Sequence, residues 1–321
     1  MRFLRERNIN KLQESLSYLL KGKNLTQWVD SIVDQLLKKS KQGKPPVKID
    51  HKIILNDRRI KGIRYNPNLV ERGQLLIGNN GFYIEVNPLG WTKDKWHNLL
   101  LAHEISHTFL YNIDEWPPKK IVSYDTGDQS IEWLCFEMAK NLLAPSRLLE
   151  QEIKTLQCAG SINCSFAILD RLSKIFLIPW QIVAQRLIED IKLWNCIILY
   201  FYADFKHNMI RESKNIWRLR WQAVPSNITK KLFIPFGKKV DGIKKYPEVK
   251  GKLYEFIEKC VGYDEKAIFD TELNYKILNS RATGNLGKIL MDLIGSENIK
   301  VQCSKTVIPY KRIEFIMIFS I

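Results

Sequence analysis

Long hydrophobic runs are missing from this 321-residue chain. No apolar stretch reaches the ~18–20 residues that a bilayer-spanning helix needs, so no membrane is expected among its partners. The longest candidates, Cys196–Ala203 and Ile313–Ile321, suit buried strands instead. No C-x-x-C pair occurs among the six cysteines, at 135, 158, 164, 196, 260 and 303. A chain of this size has no need of disulfide stapling, so reduced, mostly buried thiols in a cytoplasmic protein are expected. The first residues, Met1-Arg-Phe-Leu-Arg-Glu-Arg, are charged at once and contain no apolar h-region, so no secretory leader is expected. Internal repeats and low-complexity tracts are absent too. Negative charge is in short supply: 34 Asp and Glu face 50 Lys and Arg, a net charge of +16. That excess invites nucleic acid or an acidic partner. Hydrophobic residues make up 45% of the chain and charged ones 26%, which is globular composition and excludes a disordered chain. The length predicts two domains or slightly more.

Residues 1–42 read as helical. Leu12, Leu16, Leu19 and Leu20 form one apolar stripe, and Trp28, Ile32, Val33, Leu36 and Leu37 form another. A basic, breaker-rich link follows. Residues 47–88 alternate like short strands, over Arg59–Tyr65, Gln74–Ile77 and Gly81–Val86, separated by Asn-Pro and Gly-Asn-Asn-Gly turns. Residues 93–112 switch to a helical pattern, Asp114–Gln129 reads as a loop, and Ser130–Leu143 is helical up to Pro145. Two or three helices are expected in 146–195. A strand at Cys196–Phe205, a basic strand-rich stretch to about 245, a helix at Lys250–Cys260, another after Gly284-Asn-Leu-Gly, and C-terminal strands complete the pattern.

The sharpest feature is His103-Glu104-Ile105-Ser106-His107, an H-E-x-x-H inside the apolar run that begins Leu99-Leu-Leu-Ala. Residues i and i+4 of a helix lie one above the other, so both imidazoles can reach one divalent ion. Glu104 is rotated away from them and is free to act as a general base toward water. The bland alternative, two core histidines beside a chance Glu, would bury an unpaired carboxyl in an apolar helix at considerable cost. A catalytic zinc needs a third protein ligand. The helix Ile131–Pro145 offers Glu132 and Glu137, five residues apart and on different faces, and spacing alone does not choose between them.

Three stretches together carry a family resemblance. They are Val86-Asn87-Pro88 ahead of the first helix, Ala102–Leu110 within it, and Glu132–Pro145 downstream, where Ala139, Leu142, Leu143 and Pro145 set the register. They resemble the ImmA/IrrE metallo-endopeptidases, which are gluzincin-like H-E-x-x-H zincins. The likeness covers about residues 25–195, is strongest over 81–145 and extends to Asp170–Leu187, which is similar to the family's helix–turn–helix segment. It implies an α+β fold: a zincin-like core with a small mixed sheet, an active-site helix and a Glu-bearing helix. The implied organisation is N-terminal helices in 1–45, a zinc metallopeptidase core in 46–150, a helical segment in 151–195, and an α+β sensor or partner-binding domain in 196–321.

The same resemblance places one Zn²⁺ on His103, His107 and Glu132, with Glu137 at a variable position and Glu104 as the catalytic base. It implies hydrolysis of a specific protein, a helix–turn–helix repressor, in the cytoplasm. Two departures stand out: Cys135 replaces a small residue, and Phe136 replaces the Asn or Asp that supports the zinc ligands; for Asp125 and Asp128, just before this helix, the alternatives are a substitute for that support and plain solvated loop carboxylates. Zincins lay their substrate along a strand edge, here expected at Phe82, Tyr83, Ile84, Glu85 and Val86. Tyr124, Tyr111 and His97 are candidates for stabilising the oxyanion.

The competing expectations are a metal-binding regulator or antitoxin-like module that no longer cuts, and a nucleic-acid-binding protein with an incidental motif. For Leu169–Leu187 the alternatives are DNA contact and a packed helical pair. For Trp217-Arg-Leu-Arg-Trp221 they are base stacking and simple strand alternation. Charge is unevenly placed. Residues 1–62 hold 15 Lys and Arg against 6 Asp and Glu, a net +9, and residues 206–252 hold 13 against 3, a net +10. Residues 91–150, around the motif, hold 6 against 9, a net −3. The basic flanks are therefore expected to dock DNA or an acidic partner, apart from the chemistry.

Overall fold

The structure is a computed structural model that describes residues 20, 25–88, 94–121, 128–157, 165–204, 216–225, 239–240, 243–244, 254, 257, 269–274, 298–308 and 312–320. It is mixed α+β, with small sheets and several helices. Two compact units divide the chain, one of Met1–Ser161 with Arg171–Val183 and one of Ile162–Asp170 with Ala184–Ile321. Residues 1–45 and 46–150, read separately from the sequence, fall in one unit, and the division runs through the helical segment 151–195.

In the first unit, α1 (Leu25–Lys39) buries Leu25, Trp28, Val29, Val33, Leu36 and Leu37 along one stripe. Lys38 and Lys39 close its last turn, where cations suit the negative end of the helix dipole. The α2 helix (Lys52–Asp57) is capped by His51, whose Nδ1 accepts from the Ile53 N–H at 3.3 Å. It corrects the expectation of strands throughout 47–88. A six-residue helix around Ile53-Ile54-Leu55 has an apolar run too short for periodicity to separate from a strand.

Strands β1 (Ile60–Tyr65), β2 (Gly73–Ile77) and β3 (Phe82–Val86) form a sheet of order β1-β3-β2. β1 runs parallel to β3, while β2 is antiparallel to it, from Gly73↔Val86 to Ile77↔Phe82. Phe82, Ile84 and Val86 are buried, and Tyr83 and Glu85 alternate with them toward the outer face. There Gln74 donates to Glu85 at 2.8 Å and the Arg64 guanidinium covers the Tyr83 ring at 3.9 Å. This topology corrects the substrate-strand expectation. Phe82, Tyr83, Ile84, Glu85 and Val86 form the central strand, so β1 and β2 take up both of its hydrogen-bonding edges. The strongest apolar alternation belongs to the most enclosed strand, and such a strand has no edge to offer a peptide.

The α3 helix (Asp94–His107) carries the motif and ends in a 3₁₀ turn, Thr108–Leu110. The expected helix to 112 stops here because Tyr111 is extended and pairs, with Asn112, as β4 (Tyr111–Asn112) against β5 (Lys119–Lys120). Arg58 holds this end: its guanidinium donates to Thr108 Oγ1 at 3.1 Å and to Thr108 O at 2.8 Å, and lies 4.1 Å over the Phe109 ring. Helix ends leave carbonyls without intrahelical donors, and a cation there also suits the dipole.

α4 (Asp128–Leu143) lies against α3. It buries Ile131, Leu134, Cys135, Met138, Ala139 and Leu142, an i, i+3, i+4 stripe that ends ahead of Pro145 as expected. Three further helices follow: α5 (Ser146–Gln157), α6 (Phe166–Phe176) and α7 (Trp180–Gln185), the last running into a π-type turn over Arg186–Asp190. Leu169, Leu172, Phe176, Ile182, Val183 and Leu187 are buried and Ile175 is half-buried, so the apolar face of this segment is used in packing. Lys95 Nζ donates to Ser173 Oγ at 2.8 Å and Asn98 Nδ2 to the Leu177 carbonyl at 3.2 Å, which ties the turn after α6 to α3.

In the second unit, β6 (Cys196–Asp204), β7 (Ile216–Ala223), β10 (Phe269–Asn274), β11 (Asn298–Ile308) and β12 (Arg312–Ser320) form an antiparallel sheet of order β10-β11-β12-β6-β7. A two-residue ladder joins β8 (Lys239–Val240) to β9 (Ile243–Lys244). Along β7, Trp217 and Leu219 are buried while Arg218 and Arg220 are half-buried, the alternation of a strand with one covered face. The register shifts between Tyr200 and Phe201, leaving Arg220 as the bulged residue. Leu12, Leu16 and Leu19, the helix expected at Lys250–Cys260 apart from residues 254 and 257, and Gly284–Lys288 lie outside the described residues.

Candidate metal centre

Two helices bring three ligand atoms together. His103 and His107 stand one turn apart on α3, and Glu132 faces them from the first half of α4. His103 Nε2 lies 2.9 Å from Glu132 Oε2, His107 Nε2 lies 3.2 Å from His103 Nε2, and His107 Nε2 lies 3.4 Å from Glu132 Oε1. The donor set fits a metal ion. Ligand bonds of ~2.0–2.1 Å in a tetrahedron place donors about 3.3 Å apart, close to all three separations. Two imidazoles and one carboxylate also match the ligand types of catalytic zinc. The imidazoles are 17% and 19% exposed and the carboxylate 57%, so the group opens to solvent on the α4 side.

Glu104 behaves differently. It is 5% exposed, and burial pushes its carboxyl up to about 7, with Glu132 and Glu71 adding to the rise and His103 opposing it. Removing a carboxylate from water penalises its charged form. Glu132, hydrogen-bonded to His103 and with His107 close by, is held well below the usual carboxylate range. Space for Glu104 comes from β2: a Cβ on Gly73 would lie 3.0 Å from Glu104 Oε1 and 3.0 Å from Leu100 Cδ1.

The structure separates the two glutamates that spacing left open. Glu132 joins the histidines, while Glu137 pairs with the buried Lys140 at 2.8 Å. Phe136 is half-buried, with Lys140 Nζ 5.8 Å from its ring centroid. Cys135, one residue earlier and fully buried, places Sγ 3.4 Å from His107 Nδ1. Burial pushes its thiol well above the ordinary value, so the sulfur is neutral at pH 7. His97 stacks on Tyr65, ring centroids 6.1 Å apart, and Tyr111 packs against Phe82 at 5.5 Å. Tyr124 and Asp125 lie outside the described residues, as does the Asp128 side chain.

Sequence reasoning missed three contributors. Gly73 opens a strand, where a glycine can signal close approach of a neighbouring group. The contact of Cys135 with a histidine 28 residues away, and that of Arg58 with Thr108 50 residues away, have no local signature. Arg58 even counts toward the basic flank, although burial lowers its guanidinium to about 10.

No family model matches this chain, and no curated protein matches it. Among solved structures, a Mycobacterium tuberculosis transcriptional regulator is similar at 11% identity and a TM-score of 0.47, over 97% of this chain and 80% of that one.

Proposed function

We propose that this protein is a zinc-dependent endopeptidase with a zincin-like core, of the kind its H-E-x-x-H helix and Glu-bearing helix resemble. The observation that carries the reading is the convergence of His103 Nε2, His107 Nε2 and the Glu132 carboxylate beside a buried Glu104. A zinc ion held there supplies Lewis acidity, which polarises a peptide carbonyl and acidifies water. The chain's own residues do the rest. His103, His107 and Glu132 bind the ion. A carboxyl pushed up to about 7 exchanges protons readily at neutral pH, so Glu104 takes a proton from the attacking water and passes it to the leaving nitrogen. An extended substrate pairs with the outer edge of β2, since β3 is enclosed. Gly73, at the start of that edge, leaves room that Glu104 fills, since a Cβ there would lie 3.0 Å from Glu104 Oε1, so a peptide bond seated near it meets the base.

The proposed substrate is a helix–turn–helix repressor, with cleavage relieving repression, and the basic flanks 1–62 and 206–252 dock DNA or an acidic partner. This extends the resemblance rather than the geometry. The test is zinc content of the wild type against His103→Ala, followed by incubation with a co-encoded repressor. About one zinc per chain that is lost in the variant, with cleavage by the wild type alone, is the expected result. Zinc that survives His103→Ala sinks the site, and a zinc-loaded wild type that leaves the repressor intact favours a regulator that binds without cutting.

A further inference from the structure

A histidine that binds a metal through Nε2 carries its proton on Nδ1, and the acceptor of that proton sets the ring's tautomer and orientation. His107 turns Nε2 toward His103 and Glu132, and Nδ1 toward α4. There Cys135 Sγ waits at 3.4 Å, within the range of a hydrogen bond to sulfur. Cys135 belongs to the buried stripe of Ile131, Leu134, Met138 and Ala139, so packing fixes where its sulfur sits. It follows Glu132 by three residues and therefore shares a face of α4 with it. One helix thus delivers both a ligand and the partner of another ligand. Phe136 does neither, because a phenyl ring cannot accept the proton and here it lies beside the Lys140 ammonium.

We infer that Cys135 is a positioning residue for the metal centre: its sulfur accepts the Nδ1 proton of His107 and so presents the Nε2 lone pair to the ion. The inference rests on the proposed metal centre. It also explains how the site manages without the Asn or Asp that its resemblance leads one to expect at 136.

The experiment uses the full chain, with zinc affinity measured by competition against a chromophoric chelator. Long-range ¹H–¹⁵N NMR on chelator-treated protein reads the His107 tautomer. The wild type is expected to hold its proton on Nδ1. Cys135→Ala is expected to weaken zinc binding by ~10–100-fold, the usual effect of losing such a partner, and to give His107 a mixture of tautomers. Cys135→Ser keeps an acceptor and recovers most of the loss. Unchanged zinc affinity and an unchanged tautomer in Cys135→Ala overturn the role. So does a wild-type His107 protonated on Nε2, a reading that stands even where the alanine variant fails to fold. A wild type that binds no zinc but holds its proton on Nδ1 overturns the metal centre and leaves the Cys135 contact in place.

Discussion

On α3, Leu99, Leu101, Ala102 and Ile105 are all buried, and Glu104 is shut in with them; α4 buries its last turns all round but leaves Glu132, near its start, mostly in solvent. The two helices therefore treat two carboxyls of one site in opposite ways. Burial raises Glu104 to about 7, and the hydrogen bond with His103 holds Glu132 low. Opposed shifts of this kind separate a proton-transfer group from a permanently charged ligand. The energies differ as well. Raising a carboxyl from 4.5 to about 7 corresponds to something on the order of 3 kcal/mol of lost stability when it is charged. An exposed ion pair contributes about 0–1 kcal/mol. In this comparison the proposed proton-transfer group sits in the costly position and the proposed ligand in the cheap one.

The largest expected effect comes from Glu104→Gln. Substrate cleavage falls by roughly 10²–10⁴ while zinc content stays at the wild-type level, since the proposed function gives this residue the proton transfer and not the ion. Cleavage that persists in the variant breaks the assignment of base and ligand.

A smaller effect sharpens the contrast in stability. Glu104 has a folded-state value raised above its unfolded one, so its charge weakens the fold once the pH passes the unfolded value. In zinc-free protein, Glu104→Gln should match the wild type below about pH 4.5, gain progressively to about pH 7, and keep a gain on the order of 3 kcal/mol above it. Urea denaturation at several pH values measures this, and a gain independent of pH would contradict it.

The smallest effect belongs to α4. Glu132 has a lowered folded-state value, so its contribution is present above the unfolded value and fades as the pH falls through the folded one. With the side chain largely in solvent, Glu132→Gln in zinc-free protein should cost under about 1 kcal/mol at pH 7. A loss of several kcal/mol would mean that α4 depends on this carboxylate for its fold.

How much of this is legible in the sequence depends on distance along the chain. His103, Glu104 and His107 stand out because the relation between i and i+4 is set within one helical turn. The buried stripe of α4 is legible for the same reason. β3 reads as a strand from its own alternation, but its central place does not, because that depends on β1 crossing to its far side. Glu132 is told from Glu137 by what the neighbouring helix sets opposite it, His103 at 29 residues' distance, whereas Glu137 pairs with Lys140 within α4 itself. The helix at Lys52–Asp57 is too short to carry a period, and Arg58 gives no sign that its charge is spent inside the molecule.

Gly73 carries a consequence for the tolerance of substitutions. No unusual backbone angle calls for glycine there; what a side chain would meet is the ends of Glu104 and Leu100, which can swing away. Alanine at 73 is thus a change the scaffold can absorb while Glu104 is pushed out of place. A survey that scores only expression or melting would pass this position as permissive, although under the proposed function it keeps Glu104 in place.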